Sequence, residues 1–192
     1  MKQIVIATNN QHKVDEIIPL LPTDVKLITL SQLGVTQDIP ETGVTLEENA
    51  LQKARFIYQQ FHVDCLADDT GLEIDALDGS PGVYSARYAG EQCSASDNVD
   101  KVLSEMKGAQ NRSARFRTVI ALIYNHKEYL FEGVVEGEIL SSRHGDSGFG
   151  YDPIFLPVEQ YLSFAEMPLD MKNNISHRAL AVQKLIAFLK HL

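Results

Sequence analysis

Two long stretches, residues 115–124 and 128–138, alternate or are rich in β-branched residues, with little more than Asn125-His126 between them. Such a pattern predicts a β-hairpin, and its length commits this part of the chain to an antiparallel ladder. The start of the chain follows a different rule. Residues 2–7 (KQIVIA) read as a buried strand, Thr8-Asn9-Asn10 as a polar turn, and residues 13–21 as a helix with Val14, Ile17, Ile18 and Leu21 on one side. Residues 25–30 read as a second strand. Helical spacing returns after Thr45, which can cap with Glu48 three residues on, and runs through Leu46, Ala50, Leu51, Ala54, Ile57, Tyr58 and Phe61. Two more helices are predicted over residues 95–106 and 176–192. The βα units and the hairpin together predict an α/β protein whose mixed, strongly curved central sheet is flanked by helices.

Composition narrows the function. A chain of 192 residues with 44% hydrophobic content suits one substantial core, and no linker, repeat or low-complexity segment divides it, so a single domain over 1–192 is expected. No apolar run approaches the ~20 residues that cross a bilayer, so no membrane partner is expected. The apolar run at residues 4–7 is too short for a signal-peptide core. A net charge of −9 argues against a nucleic-acid partner, which needs a basic face, but leaves room for a nucleotide, which needs a few local cations. Cys65 and Cys93 are too few for a metal framework, and a reducing, cytoplasmic setting is the expectation.

Four polar clusters and one acidic pair could carry chemistry. Asp68 and Asp69 follow the apolar run 63–67, with Gly71 just after; carboxylates at a strand end beside a tight turn can hold a hard cation and aim a water. An ordinary acidic turn is the competing reading. Thr8, Asn9, Asn10, Gln11, His12 and Lys13 bring hydroxyl, amide and ammonium donors to a helix start, where phosphate oxygens would be favoured; a plain helix cap is the alternative. Glu41, in Pro40-Glu41-Thr42-Gly43, could be a metal ligand and Lys53 a phosphate partner, or the two could be a surface turn and a solvated helix face. In GDSGFGYDPIF (145–155), Phe149, Gly150 and Tyr151 offer close backbone approach and a ring for stacking, and Asp152 an acceptor for a base N–H. Aromatics plugging the core would look the same. Lys172, His177 and Arg178, in KNNISHR, concentrate donors near a helix start that Ser176 could merely cap.

Taken together and in this order, these segments resemble the inosine triphosphate pyrophosphatase family. The resemblance is carried by Thr8-x-Asn10-x-x-Lys13, Ala67-Asp68-Asp69-Thr70-Gly71, the segment PGVYSARY at 81–88, Gly148-Phe149-Gly150-Tyr151-Asp152-Pro153 and Ser176-His177-Arg178. It implies a two-lobed fold with an intervening active-site cleft, a homodimer, and Mg²⁺-dependent cleavage of purine nucleoside triphosphates such as those of inosine, deoxyinosine and xanthine. The products would be the monophosphate and pyrophosphate, which cleanses the nucleotide pool. By position, Thr8 to Lys13 match a phosphate-binding segment, Glu41 a metal ligand, and Asp69 the metal-binding catalytic carboxylate with Thr70 as its substrate-contacting neighbour. Phe149 to Asp152, Lys172, His177 and Arg178 match base and phosphate contacts. Thr70 stands where many relatives carry serine, and Asn9 where a smaller residue is common.

On this reading Lys13, Lys53, Lys172 and Arg178 offset the triphosphate charge together with Mg²⁺, Asp69 takes a proton from water, and Asp68 stands behind it. Donors from His177 or Arg178 would read the C6 oxygen of the base. The rivals are a Maf-like pyrophosphatase acting on other nucleotides and a non-catalytic nucleotide sensor. The Ser-His-Arg and Phe-Gly-Tyr-Asp segments speak against the first, and the joint presence of Glu41, Asp69 and the lysines against the second.

Overall fold

The predicted opening strand forms as β1, Lys2–Ile6, and its Ile4 and Ile6 side chains are fully buried. The structure is a computed structural model that describes residues 2–37 and 39–191. Helix α1 (Gln11–Ile17) starts two residues earlier than its apolar spacing predicts, because the Asn10 side chain accepts the Lys13 N–H and caps it there. A 3₁₀ turn, Ile18–Leu20, follows in place of further α-helix, with Pro19 at its start. Strand β2 (Val25–Thr29) and the single-turn helix α2 (Leu30–Leu33) lead to α3 (Leu46–Phe61). Thr45 caps α3 as predicted, but Glu48 reaches one residue further back than a capping box would, to the Val44 N–H.

Strand β3 (Cys65–Ile74) is the main departure from the sequence reading. The strand does not end at Ala67. It continues through Asp68, Asp69 and Gly71 because Leu72 and Ile74 beyond them are buried core residues, and the chain turns only at Asp75–Leu77. The acidic pair is therefore held mid-strand, where the backbone is fixed by its neighbours. After the short β4 (Pro81–Gly82), helix α4 (Ala95–Glu105) begins at Ser94, which makes a full capping box with Asp97. The hairpin forms as β5 (Ser113–Tyr124) and β6 (Lys127–Ile139), with Asn125 and His126 both at positive φ as a two-residue turn of this hand requires. Strand β7 (Phe155–Pro157), helix α5 (Leu169–Ile175) and helix α6 (His177–Leu189) complete the chain.

The strands form one open, mixed, seven-stranded sheet in the order β2-β1-β3-β5-β6-β7, with β4 added on β3. Strand β1 is parallel to both β2 and β3, whereas β3–β4 and β6–β7 are antiparallel. No helix among the described residues is long and apolar enough to cross a membrane.

The chain divides into two compact units. The first comprises 1–69, 118–133 and 178–192; the second comprises 70–117 and 134–177. The core of the first is aliphatic, built from Ile4, Ile6 and Leu66 of the sheet, Val14 and Ile17 of α1, and Val182, Leu185 and Leu189 of α6. Burying each such side chain stabilises the fold by about 1.5–3 kcal/mol. The core of the second is more aromatic. Phe116, Phe155 and Phe164 pack at ring separations of 4.7, 5.3 and 6.1 Å among Leu72, Ile74, Val99, Val102 and Ile154.

Candidate active site

Within the first unit, mid-strand Asp68 and Asp69 are both buried and each meets cations. The Asp69 carboxylate accepts from Lys53 Nζ through Oδ1 (3.1 Å) and from Asn49 Nδ2 through Oδ2 (3.2 Å). Lys53 Nζ also donates to Glu41 Oε1 at 2.5 Å, so one ammonium joins the two carboxylates. Lys53 and Asn49 can do this because they lie on the buried stripe of α3, at core positions beside Leu46, Ala50, Ala54 and Ile57. Asp68 lies 3.2 Å from Lys13 Nζ and accepts from Arg178 Nε at 3.3 Å. Arg178, 1% exposed, gives its Nη1 to Glu16 of α1.

The electrostatics differ between the two aspartates. Burial opposes charge on Asp68, but Lys13, Arg178 and Lys53 outweigh it and hold the carboxyl well below the usual range. Asp69 goes the other way: burial raises its proton affinity, Glu41 adds to that, and Lys53 and Lys13 only partly compensate. Burial likewise lowers the Lys13 ammonium, with Lys53 and Arg178 repelling it and Asp68 pulling back. For Lys53, the burial penalty is overcome by Asp69 and Glu41, and its proton is held more tightly than usual. The two neighbouring carboxylates thus differ, one held in its charged form by its cations and the other with its proton affinity raised by burial.

In the second unit, Asp152 and Lys172 form a buried ion pair at 2.6 Å. The same Asp152 oxygen accepts the Phe149 N–H at 2.8 Å, and the Lys172 ammonium lies 5.3 Å from the centre of the Phe149 ring. Gly148 permits the turn: it sits at φ +76°, and a Cβ there would come within 2.2 Å of Asp152 Oδ2. Gly150 also has positive φ. Tyr151 is buried and donates its hydroxyl to the Ser85 carbonyl, so it plugs this unit's core. His177 is buried and stacked on Phe116, centroids 4.6 Å apart and planes within 15°. Thr70 is half-buried in β3, one residue beyond Asp69.

The structure therefore brings Lys13, Glu41, Lys53, Asp68, Asp69 and Arg178 together in the first unit, and Phe149, Asp152 and Lys172 in the second. Thr8 Oγ1 accepts the Asn10 N–H, so the polar turn is at least a capping structure, while Asn9, Gln11 and His12 are exposed beside it. Lys53 is no solvated helix residue. Two participants, Asn49 and Glu16, were not singled out from the sequence. Their signal was there: each is a polar residue among the buried apolar positions of a helix, where it must find a partner.

In fold, the chain is of the class of the Ham1 proteins. It superposes on the Ham1 protein of Coxiella burnetii with a TM-score of 0.91 and 41% identity, over 100% of both chains. The Staphylococcus aureus Ham1 protein gives 0.90 and 41%, over 99% of each. The chain belongs to the Ham1 family, whose model matches residues 4–188. Relatives named dITP/XTP pyrophosphatase are 49% identical in Flavobacterium psychrophilum, over 98% of this chain and 100% of the relative, and 52% identical in Porphyromonas gingivalis, over 98% of each.

Proposed function

We infer that this chain hydrolyses non-standard purine nucleoside triphosphates, those of inosine, deoxyinosine and xanthine, to the monophosphate and pyrophosphate. The observation that carries the reading is the Glu41–Lys53–Asp69 cluster, buried at its centre, in a chain half identical to dITP/XTP pyrophosphatases over its whole length. The whole chain, both units together, is taken as one catalytic domain.

The donor set suits Mg²⁺, a hard cation that commonly uses one or two carboxylates and completes its shell with water and phosphate oxygens. Glu41 and Asp69 would hold it. A charge count supports the need: Lys13, Lys53 and Arg178 face Glu16, Glu41, Asp68 and Asp69, three cations against four carboxylates. These cations are already balanced, so they orient phosphates but add no net positive charge. When bound, the divalent ion supplies that charge and polarises the phosphoryl oxygens. Asp69 takes the proton of the attacking water. Lys53 holds Asp69 and Glu41 at a fixed separation. Lys13 donates to phosphate from the end of the polar turn, steadied by Asp68.

In the second unit, Phe149 offers a ring face to the base and Asp152 and Lys172 fix the loop that carries it. His177, oriented by its stack on Phe116, is the donor assigned to the C6 oxygen of hypoxanthine or xanthine. Adenine presents an amine there, and an unmet buried donor costs about 1–3 kcal/mol, or roughly 10–100-fold in selectivity. Arg178 is given a supporting role, because its guanidinium is engaged by Glu16 and Asp68. A homodimer in a reducing cytoplasm completes the proposal; both cysteines are free thiols.

The test is pyrophosphate release from the triphosphates of inosine, xanthine, adenosine and guanosine, with and without Mg²⁺. Metal-dependent release from the first two, with Asp69→Asn slower by ~10²–10⁴-fold and unchanged in circular dichroism, is expected. Near-normal turnover by Asp69→Asn, or orthophosphate as the product, would sink the reading.

A further inference from the structure

The loop that carries Glu41 has no secondary structure of its own, yet three successive backbone N–H groups in it are taken by side chains of α3. Thr42 N–H goes to Gln52 Oε1 (2.9 Å), Gly43 N–H to Asn49 Oδ1 (2.8 Å) and Val44 N–H to Glu48 Oε2 (2.7 Å). Gln52 and Glu48 do this partly in solvent, whereas Asn49 is 0% exposed. The loop lies so close to the helix that a Cβ at residue 43 would fall 2.6 Å from Glu48 Cβ and 2.8 Å from Asn49 Oδ1, which only glycine avoids.

Asn49 differs from its two neighbours in a second way. Because the Gly43 N–H can only donate, the amide oxygen of Asn49 must face it, and the amide nitrogen is thereby fixed toward Asp69 Oδ2 at 3.2 Å. Lys53 holds the other oxygen, Oδ1. One buried amide thus ties the Glu41 loop to one oxygen of Asp69, and the plane of that carboxylate is set by two donors from successive turns of a single helix.

We propose that Asn49 is a positioning residue for the reaction: its amide, oriented by the Gly43 N–H, fixes the plane of the Asp69 carboxylate and keeps the Glu41 loop in register with it. This rests on the reading of Asp69 as the proton acceptor. A carboxylate held by Lys53 alone can rotate about its Cβ–Cγ bond, and reacting groups displaced by about 1 Å can lose ~10²-fold in rate.

Two variants separate the role from mere support of the fold. Asn49→Asp keeps the shape and the acceptor for Gly43 N–H but sets an oxygen and its charge against Asp69 in place of the donor; Asn49→Leu removes donor and acceptor without adding charge. For Asn49→Asp, kcat for inosine triphosphate should fall about 10–100-fold while KM stays within about threefold of the parent. Calorimetry should give an unchanged Kd for the α,β-methylene analogue of inosine triphosphate, a readout independent of turnover. Asn49→Leu should lose kcat to at least the same degree and also weaken the analogue, as the Glu41 loop loses its tie. Asp69→Asn run alongside separates the two inferences: if it stays active, the assignment of Asp69 fails. If it is dead but Asn49→Asp keeps kcat within twofold, or loses kcat/KM only through KM, Asn49 has no positioning role. Should Asn49→Leu not fold, Asn49→Ala, which also removes the donor without adding charge, takes its place.

Discussion

Replacing Arg178 by methionine tests the physical core of the first unit most directly. The guanidinium is 1% exposed and spans two buried carboxylates, giving Nη1 to Glu16 and Nε to Asp68. Methionine fills much of the same volume but takes the guanidinium from both Glu16 and Asp68, with Lys13 still 3.2 Å from Asp68. Removing one partner of a buried ion pair costs about 3–5 kcal/mol, because the charge left behind has lost water and gained nothing. At ~2–4 °C per kcal/mol for a chain of this size, the midpoint of thermal unfolding should drop by roughly 6–20 °C at pH 7. The protein contains no tryptophan, so far-UV circular dichroism is the suitable probe. The loss should shrink as the pH falls toward 5, since a buried carboxylate deprived of its partner can neutralise itself by taking a proton. Glu16→Gln combined with Arg178→Met should recover part of the loss for the same reason. Arg178→Lys should recover less than half, because one ammonium cannot reproduce a fork that reaches two acceptors. A drop under about 1 kcal/mol for Arg178→Met at pH 7 would refute the argument.

The depressed proton affinity of Asp68 has a defined pH signature. Its folded value lies below the unfolded one, so its contribution is complete above about pH 5 and is lost as pH falls below about 4. Asp68→Asn should therefore be less stable at neutral pH and show a flatter acid limb, which midpoints measured from pH 2 to 7 would reveal. Gly145 sits at φ +80°, and a Cβ there would lie 2.4 Å from the Ala165 carbonyl, whereas Gly79, at φ +83°, has open space around it. Gly79→Ala should cost only the backbone penalty of about 1–2 kcal/mol, and Gly145→Ala clearly more, in matched urea titrations. Burial and Asp64 push the Cys65 thiol up to about 12, while Cys93 is partly exposed. A chromogenic disulfide reagent at pH 8 should titrate one thiol in the folded protein and two in urea.

Much of the fold was legible because it rests on local rules. The hairpin at Asn125-His126, the Thr45 cap and the apolar stripes of α3, α4 and α6 follow from turn chemistry and periodicity, and each formed within a few residues of its expected place. The continuation of β3 past Asp68-Asp69 was not legible, since two adjacent carboxylates and a glycine read locally as a turn. Counter-charges from α1, α3 and α6 help to hold them in a buried strand. The seven-residue α5 went unread, being too short to show a period. In the candidate site, the chemically distinctive residues stood out, whereas Asn49 and Glu16 did not, because an amide or carboxylate among apolar neighbours gains meaning only once its partner is known.

The Arg178 fork also has a consequence for how the protein is made. Its two acceptors lie 162 and 110 residues earlier in the chain. On a ribosome adding ~5–20 residues per second, Asp68 waits roughly 5–20 s after its own synthesis for the guanidinium that will accompany it into the interior. Until then the central strand carries charge that the growing chain cannot fully compensate, and water is the better host for it. Native closure of the first unit is thereby tied to the synthesis of residue 178, and a product released before that point would lack the guanidinium that accompanies Asp68 and Glu16 into the interior.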